Sequence, residues 1–162
     1  MHIIDGGLKR PEVIALLHRH VTAARAATAE GSAHALDLSG LQSPNIHFFS
    51  AWEADTLIAV GALKRFSSSE GEIKSMHVAE QARRRGAGAA MLRHIIAAAS
   101  EQGLKTLSLE TGASDHFIPA RALYRAHGFR DCPPFADYRS DPNSVFLYLE
   151  LAGSPHRASA TT

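Results

Sequence analysis

A chain of 162 residues, 45% of them hydrophobic, has the length of one ordinary globular domain and enough apolar content for a core. Its net charge of +1 excludes a generic nucleic-acid binder, since positive charge gathers at one loop rather than over a face. The single cysteine, Cys132, excludes an internal disulfide framework, and no apolar run reaches membrane-spanning length.

Residues 2–4 predict a short first strand. The opening Met1-His2-Ile3-Ile4-Asp5 lacks the basic and apolar regions of a signal peptide, so a cytoplasmic protein is expected. Pro11 suits the first turn of a helix to about residue 27, with Val13, Leu16, Leu17 and Val21 at helical spacing. Glu30-Gly31-Ser32 breaks it, and Ser32 is placed to cap a second short helix over 33–38. Loop signals at Ser39-Gly40 and Ser43-Pro44-Asn45 precede a hairpin of 46–52 and 56–66, turning at Glu53-Ala54-Asp55. A polar turn leads into a strand over 72–78. Alternation puts Glu72, Lys74, Met76 and Val78 on one face of it, and Ile73, Ser75 and His77 on the other. A helix follows, with Met91, Leu92, Ile95, Ile96 and Ala99 as its apolar stripe and Gly103 as its stop. Residues 104–111 read as a strand, about 118–127 as a helix ended by Gly128, and 129–132 and 145–151 as two last strands. This order predicts an α/β (α+β) domain over 1–151 with a mixed sheet. The small, polar residues 152–162 read as a disordered tail.

Between the 72–78 strand and its helix lies Arg83-Arg84-Arg85-Gly86-Ala87-Gly88-Ala89. Glycines allow a tight turn, and the first N–H groups of the following helix point at any ligand seated there, with the positive end of the helix dipole behind them. Such a loop suits a polyanion. A P-loop fails for want of a Lys after either glycine, and a dinucleotide fingerprint fits poorly because Met91 stands where a small residue is needed. The pattern [RQ]-x-x-G-x-[GA] is met by Arg83, Gly86 and Gly88. The plain alternative is a strand-to-helix turn with a solvated basic face. Ten histidines carry no HExxH or CxxC spacing, and no metal site is expected.

That loop, with Ala120-Arg121-Ala122-Leu123-Tyr124-Arg125-Ala126-His127-Gly128-Phe129, resembles the GNAT acetyltransferase family and its A-x-x-L-Y-x-x-x-G-F signature. Leu109-Glu110-Thr111-Gly112 and the stretch from Asp137-Tyr138 to Asp141-Pro142-Asn143-Ser144-Val145-Phe146 suggest an uncharacterised bacterial small-acetyltransferase branch. The resemblance is strongest over 71–128 and weak over 1–45. It implies a central mixed, mostly antiparallel twisted sheet of about seven strands flanked by about four helices. Acetyl-CoA is the implied cosubstrate. Main chain at Met76, His77 and Val78 would hold the pantetheine arm, and Arg83, Arg84, Arg85, Gly86, Ala87, Gly88 and Ala89 the pyrophosphate. One departure stands out: Phe117 occupies a position where many members place an Asn against the pantetheine.

Acetyl transfer to an amine needs a base for the nucleophile, a donor for the oxyanion and a proton for the leaving thiolate. Glu72, thirteen residues before Arg85, matches the catalytic glutamate of the family's histone-modifying members and is the candidate base, acting through water. Its alternative is a structural carboxylate paired with Lys74. His77 is a second candidate base by its intrinsic pKa. Tyr124 fills the family's tyrosine slot and is the candidate general acid, its alternative a helix tyrosine packed on the core, and the Val78 amide is the candidate oxyanion donor. Cys132 lacks the paired signature of a covalent route.

The acceptor is the least readable part. His34, Phe48, Trp52 and Tyr138 are candidates to line its pocket or to sit in the core. Asp137 and Asp141 could hold an ammonium or belong to a plain turn. A primary amine of a small molecule is expected, by direct attack in a ternary complex, with neither nucleic acid nor membrane as partner. A homodimer through the sheet edge is compatible with the family. A protein N-acetyltransferase, a non-catalytic acyl-CoA-binding module and, more distantly, a nucleotide-binding oxidoreductase are the rivals.

Overall fold

The computed structural model describes residues 1–26 and 38–151. The elements run β1 (His2–Asp5), α1 (Pro11–Ala26), β2 (Ile46–Glu53), β3 (Thr56–Arg65), β4 (Glu70–Val78), α2 (Ala87–Glu101), β5 (Thr106–Gly112), α3 (Ile118–Ala126), β6 (Arg130–Asp131) and β7 (Ser144–Glu150), with three short 3-10 turns between them. The expected helix over 33–38 and the tail over 152–162 fall outside the described residues, or nearly so: only Leu38 of that helix is described, and it lies in a turn. Three α-helices are therefore seen among the described residues, against about four expected.

Seven strands form one sheet in the order β1-β2-β3-β4-β5-β7-β6. All neighbours are antiparallel except β4 and β5. That parallel pair needs a crossover, which α2 supplies. The expected mixed, mostly antiparallel sheet of seven strands is thus present. The hairpin of β2 and β3 turns through Ala54-Asp55, one residue tighter than the sequence suggests.

Helices cover both faces. On one, Ile95 and Met91 of α2 press against Gly61 of β3, where a Cβ would come within 2.8 Å of Ile95 and 3.1 Å of Met91. On the other, His20 of α1 meets His77 of β4. Fully buried Val13, Leu16, Phe49, Trp52, Leu63, Met91, Leu92, Ile95, Leu107 and Leu147 fill the core between the layers. Helix α3 lies with α2, because Leu123 is in van der Waals reach of the Gly88 backbone and Gly128, after α3, adjoins Leu149 of β7.

Two irregularities of β4 decide what the fold can do. Val60 faces His77 and Ala62 faces Lys74, so Gly61 alone opposes both Ser75 and Met76. This is a β-bulge, with Ser75 at φ 56°. One extra residue reverses the alternation beyond it. The expected faces are therefore corrected: Glu72, Lys74 and His77 share the α1 face, whereas Met76, whose Sδ lies near Gly61, turns with Ile73 and Val78 toward α2. The second irregularity is a parting of strands. β4 pairs with β5 only at Glu70–Thr106, Gly71–Leu107 and Glu72–Ser108. Beyond Glu72 the two strands carry no further ladder.

Candidate active site

The opening between β4 and β5 has Glu72 at its apex and the end of β4, with Met76, His77 and Val78, along one arm. Backbone groups there lack a β5 partner and suit a ligand that lies in the gap as a surrogate strand. After β4 the chain passes through a 3-10 turn at Glu80–Ala82 and reaches Gly86, whose φ of 81° is the left-handed conformation that glycine adopts without steric cost. Helix α2 starts at Ala87 with no side chain capping it. Ala90 is the first residue of the helix to bond back, donating to the Gly86 carbonyl. The amides of Ala87, Gly88 and Ala89 thus have no intrahelical acceptor, and they face a site with the positive end of the dipole behind them.

The three arginines separate. Arg85 leans back on Glu53 of the hairpin at 3.7 Å, an exposed pair of small energetic weight. Arg83 carries its charge near His77. Arg84 takes φ 65°, which helps turn the loop.

Glu72 is 3% exposed. Its Oε2 accepts from Lys74 Nζ at 3.3 Å and from Tyr138 Oη at 2.5 Å, and Lys74 Nζ also donates to Tyr138 Oη at 2.8 Å. Burial, with the Glu72 carboxylate beside it, pushes the Tyr138 phenol far up. Glu72 and Lys74 are two apart on one strand and share a face by simple alternation. Tyr138 comes from the irregular stretch between β6 and β7, 66 residues away, with no local signal of its destination.

His77, on the α1 face of β4, is paired with a second imidazole. Its Nδ1 is 3.2 Å from Nδ1 of His20. Burial, then His20 and the charges of Arg83 and Arg19, lowers it to about 3. His20 is lowered to about 4 by burial and by His116. Tyr124 sits on the opposite side of the sheet from Glu72, 7% exposed, with its ring against Phe129. Burial pushes its phenol well up, and no described residue bonds its hydroxyl. Phe117 lies across Gly112 at the end of β5, so close that any side chain on Gly112 would overlap its ring. An aromatic wall thus stands where the family pattern places an amide.

Of the other pocket candidates, Phe48 and Trp52 are core residues, Trp52 donating from Nε1 to Ser50 Oγ at 3.0 Å. Asp141 accepts from the Asn143 amide at 2.8 Å, a turn function, and Asp137 is exposed. His34 lies outside the described residues. Among the described residues no cluster of His, Cys, Asp and Glu could hold a metal, and no helix is long and apolar enough to cross a membrane.

A parted parallel strand pair, a bulge beside it and an uncapped helix N-terminus after a Gly-containing loop form an opening suited to an extended ligand that ends in a polyanion. The profile of the Acetyltransferase (GNAT) family matches residues 16–129, and the chain belongs to that family: it is an N-acetyltransferase with acetyl-CoA as cosubstrate. It is 44% identical to Uncharacterized N-acetyltransferase YsnE of Bacillus subtilis, covering 93% of this chain and 100% of that one. It is 44% identical to Uncharacterized N-acetyltransferase YedL of Escherichia coli, over 89% and 91% of the two chains. Among solved structures, one described as an acyl-CoA N-acyltransferase from Klebsiella pneumoniae superposes with a TM-score of 0.77 at 29% identity, covering 93% of this chain and 97% of that one. A GNAT family acetyltransferase from Elizabethkingia anophelis with acetyl-CoA bound shares the fold, with a TM-score of 0.67 at 20% identity over 92% and 97% of the chains.

Proposed function

We propose that this chain acetylates the primary amine of a small molecule by direct attack in a ternary complex, with Glu72 as base and Tyr124 as acid. The parting of β4 from β5 beyond Glu72 carries this reading. Main chain at Met76, His77 and Val78 holds the pantetheine arm, and the loop from Arg83 to Ala89 holds the pyrophosphate, chiefly through its amides. Glu72 lies on the α1 face at the last rung of the β4–β5 ladder, and Tyr124 lies on α3, which packs with α2 on the other face, an arrangement that supports separate roles for a proton acceptor and a proton donor. The amine enters from the Glu72 side. Its N–H proton passes through water to Glu72 as the N–C bond forms, and the Val78 amide steadies the oxyanion. The C–S bond then breaks and the departing sulfur takes the Tyr124 proton. His77, whose Nδ1 lies against Nδ1 of His20, is the alternative base.

Thermal melts with acetyl-CoA, CoA and NADH come first. A ligand at a hundred times its Kd stabilises the native state by about 2.7 kcal/mol, or about 5–10 °C for a chain of this size. A shift with acetyl-CoA and none with NADH is expected, followed by thiol release with small amines that Glu72→Gln and Tyr124→Phe both depress. Folded protein indifferent to every CoA would end this reading. Tight acetyl-CoA binding with no amine consumed would favour a non-catalytic binding module.

A further inference from the structure

The Glu72 carboxylate is gripped on one oxygen only. Lys74 and Tyr138 both reach Oε2, at 3.3 and 2.5 Å, and no described residue donates to Oε1. Glu72 belongs to the last rung that joins β4 to β5, so this carboxylate stands where the strands part. Lys74 bonds Tyr138 as well as Glu72, closing a three-membered ring of contacts in which each member fixes the other two. The lysine side chain is only 9% exposed, so the arrangement has little competition from solvent. Tyr138 is itself held: its ring lies 5.1 Å from that of Phe135 and 5.5 Å from that of Phe146, and Phe135 stacks on Phe66.

We propose that Tyr138 and Lys74 are positioning residues for the base: by taking up Oε2 they leave Oε1 of Glu72 as the oxygen that receives the acceptor's proton. The proposal rests on the reading of Glu72 as base. A carboxyl group with one oxygen doubly engaged cannot rotate freely, and its second oxygen keeps a fixed direction. Loss of the Tyr138 hydroxyl therefore releases Oε2 from its shortest contact, and Oε1 loses its aim. The chemical step then suffers while acetyl-CoA, which does not depend on this carboxylate, binds as before. A buried ion pair kept for stability alone predicts a lower melting temperature and no such split between kcat and KM. The inference also gives the stretch between β6 and β7 a part in catalysis, because Tyr138 is its contribution to the site.

Tyr138→Phe is the variant of choice, since it deletes one oxygen and keeps the ring among Phe135 and Phe146. Thiol release from acetyl-CoA is followed with 2-phenylethylamine and with water as acceptors. The variant is expected to lose at least tenfold in kcat, to keep its KM for acetyl-CoA and to melt close to the wild type. In parallel, a crystal structure of Tyr138→Phe is expected to show the Glu72 carboxylate turned from its wild-type orientation. An unmoved carboxylate overturns the proposal, as does an unchanged kcat or a loss of kcat that only follows a loss of stability. Where neither acceptor is turned over, the orientation of the carboxylate alone decides. Absence of any acetyl-CoA effect on melting would sink the acetyltransferase reading separately, without touching the carboxylate's geometry.

Discussion

A phenol that is 7% exposed, with no described partner for its hydroxyl, is an odd choice for a packing residue, and Tyr124 is one. A hydroxyl that bonds no described residue adds little to the fold, so removing it should cost little stability. Tyr124→Phe is accordingly expected to melt within about 1 kcal/mol of the wild type, while kcat falls at least about a hundredfold, the lower end of what general-acid groups supply. Circular dichroism melts and thiol release check the two halves. Equal losses in both would reduce Tyr124 to a core residue. The His20–His77 pair makes the opposite kind of prediction, about stability rather than rate. Both rings titrate well below 6.5 when folded, His20 at about 4 and His77 at about 3. Between 6.5 and those values the unfolded chain binds more protons than the native one, so stability rises with pH across the window. It is fully present above 6.5 and is lost as pH falls through about 4 and then about 3. His20→Gln removes one of these titrations. Its melting temperature should fall less steeply than the wild type's between pH 6.5 and 4, and parallel curves would refute the account.

Among the elements, β4 is the one whose departure from regularity makes the site. Ser75 holds φ 56° inside a strand, and its buried hydroxyl has no partner among the described residues. Left-handed backbone costs a non-glycine residue about 1 kcal/mol, and the orphaned hydroxyl adds to it. Ser75→Gly should therefore raise stability by about 1 kcal/mol, or about 2–4 °C in Tm, in spite of the entropy that glycine adds to the unfolded chain. Ser75→Val should lower it, since a β-branched residue resists that conformation. Denaturant melts of the pair give the test, and a Gly variant less stable than wild type would mean the bulge is not strained. The same residue marks the limit of what could be read before the structure. Strands and helices with regular apolar spacing were readable within a residue or two, and so was the 83–89 loop, because its glycines and its place between strand and helix are local signals. The bulge was not. Nothing in Glu72-Ile73-Lys74-Ser75-Met76-His77-Val78 breaks the alternation, and serine is not a residue that announces a positive φ. One inserted residue moved Met76 to the α2 face and His77 to the α1 face. In the sequence Tyr138 is one of several aromatic residues, since its partner on β4 is set by tertiary structure and not by spacing.

On the scale of the whole molecule, the sheet is an almost continuous ladder with one gap. β5 is fully paired to β7 from Thr106–Glu150 through Gly112–Ser144, and β4 follows β3 on its other side, yet the two inner edges part after Glu72 and Ser108. A sheet that leaves two central strands unjoined gives up hydrogen bonds in its middle, where strands are normally best protected from exchange. A pantetheine arm in that gap, with amide groups of its own, replaces some of them, and a pyrophosphate on the amides of Ala87, Gly88 and Ala89 engages the helix end. Acetyl-CoA should therefore slow amide hydrogen exchange in a defined set of places: residues 74–78, 84–89 and 109–112. The hairpin of β2 and β3, already paired along its length, should change little. CoA should reproduce the pattern and NADH should not. Peptide-resolved exchange with and without ligand makes the measurement. Protection spread evenly over the molecule, alongside a rise in Tm, would mean that acetyl-CoA binds somewhere other than the parted strands.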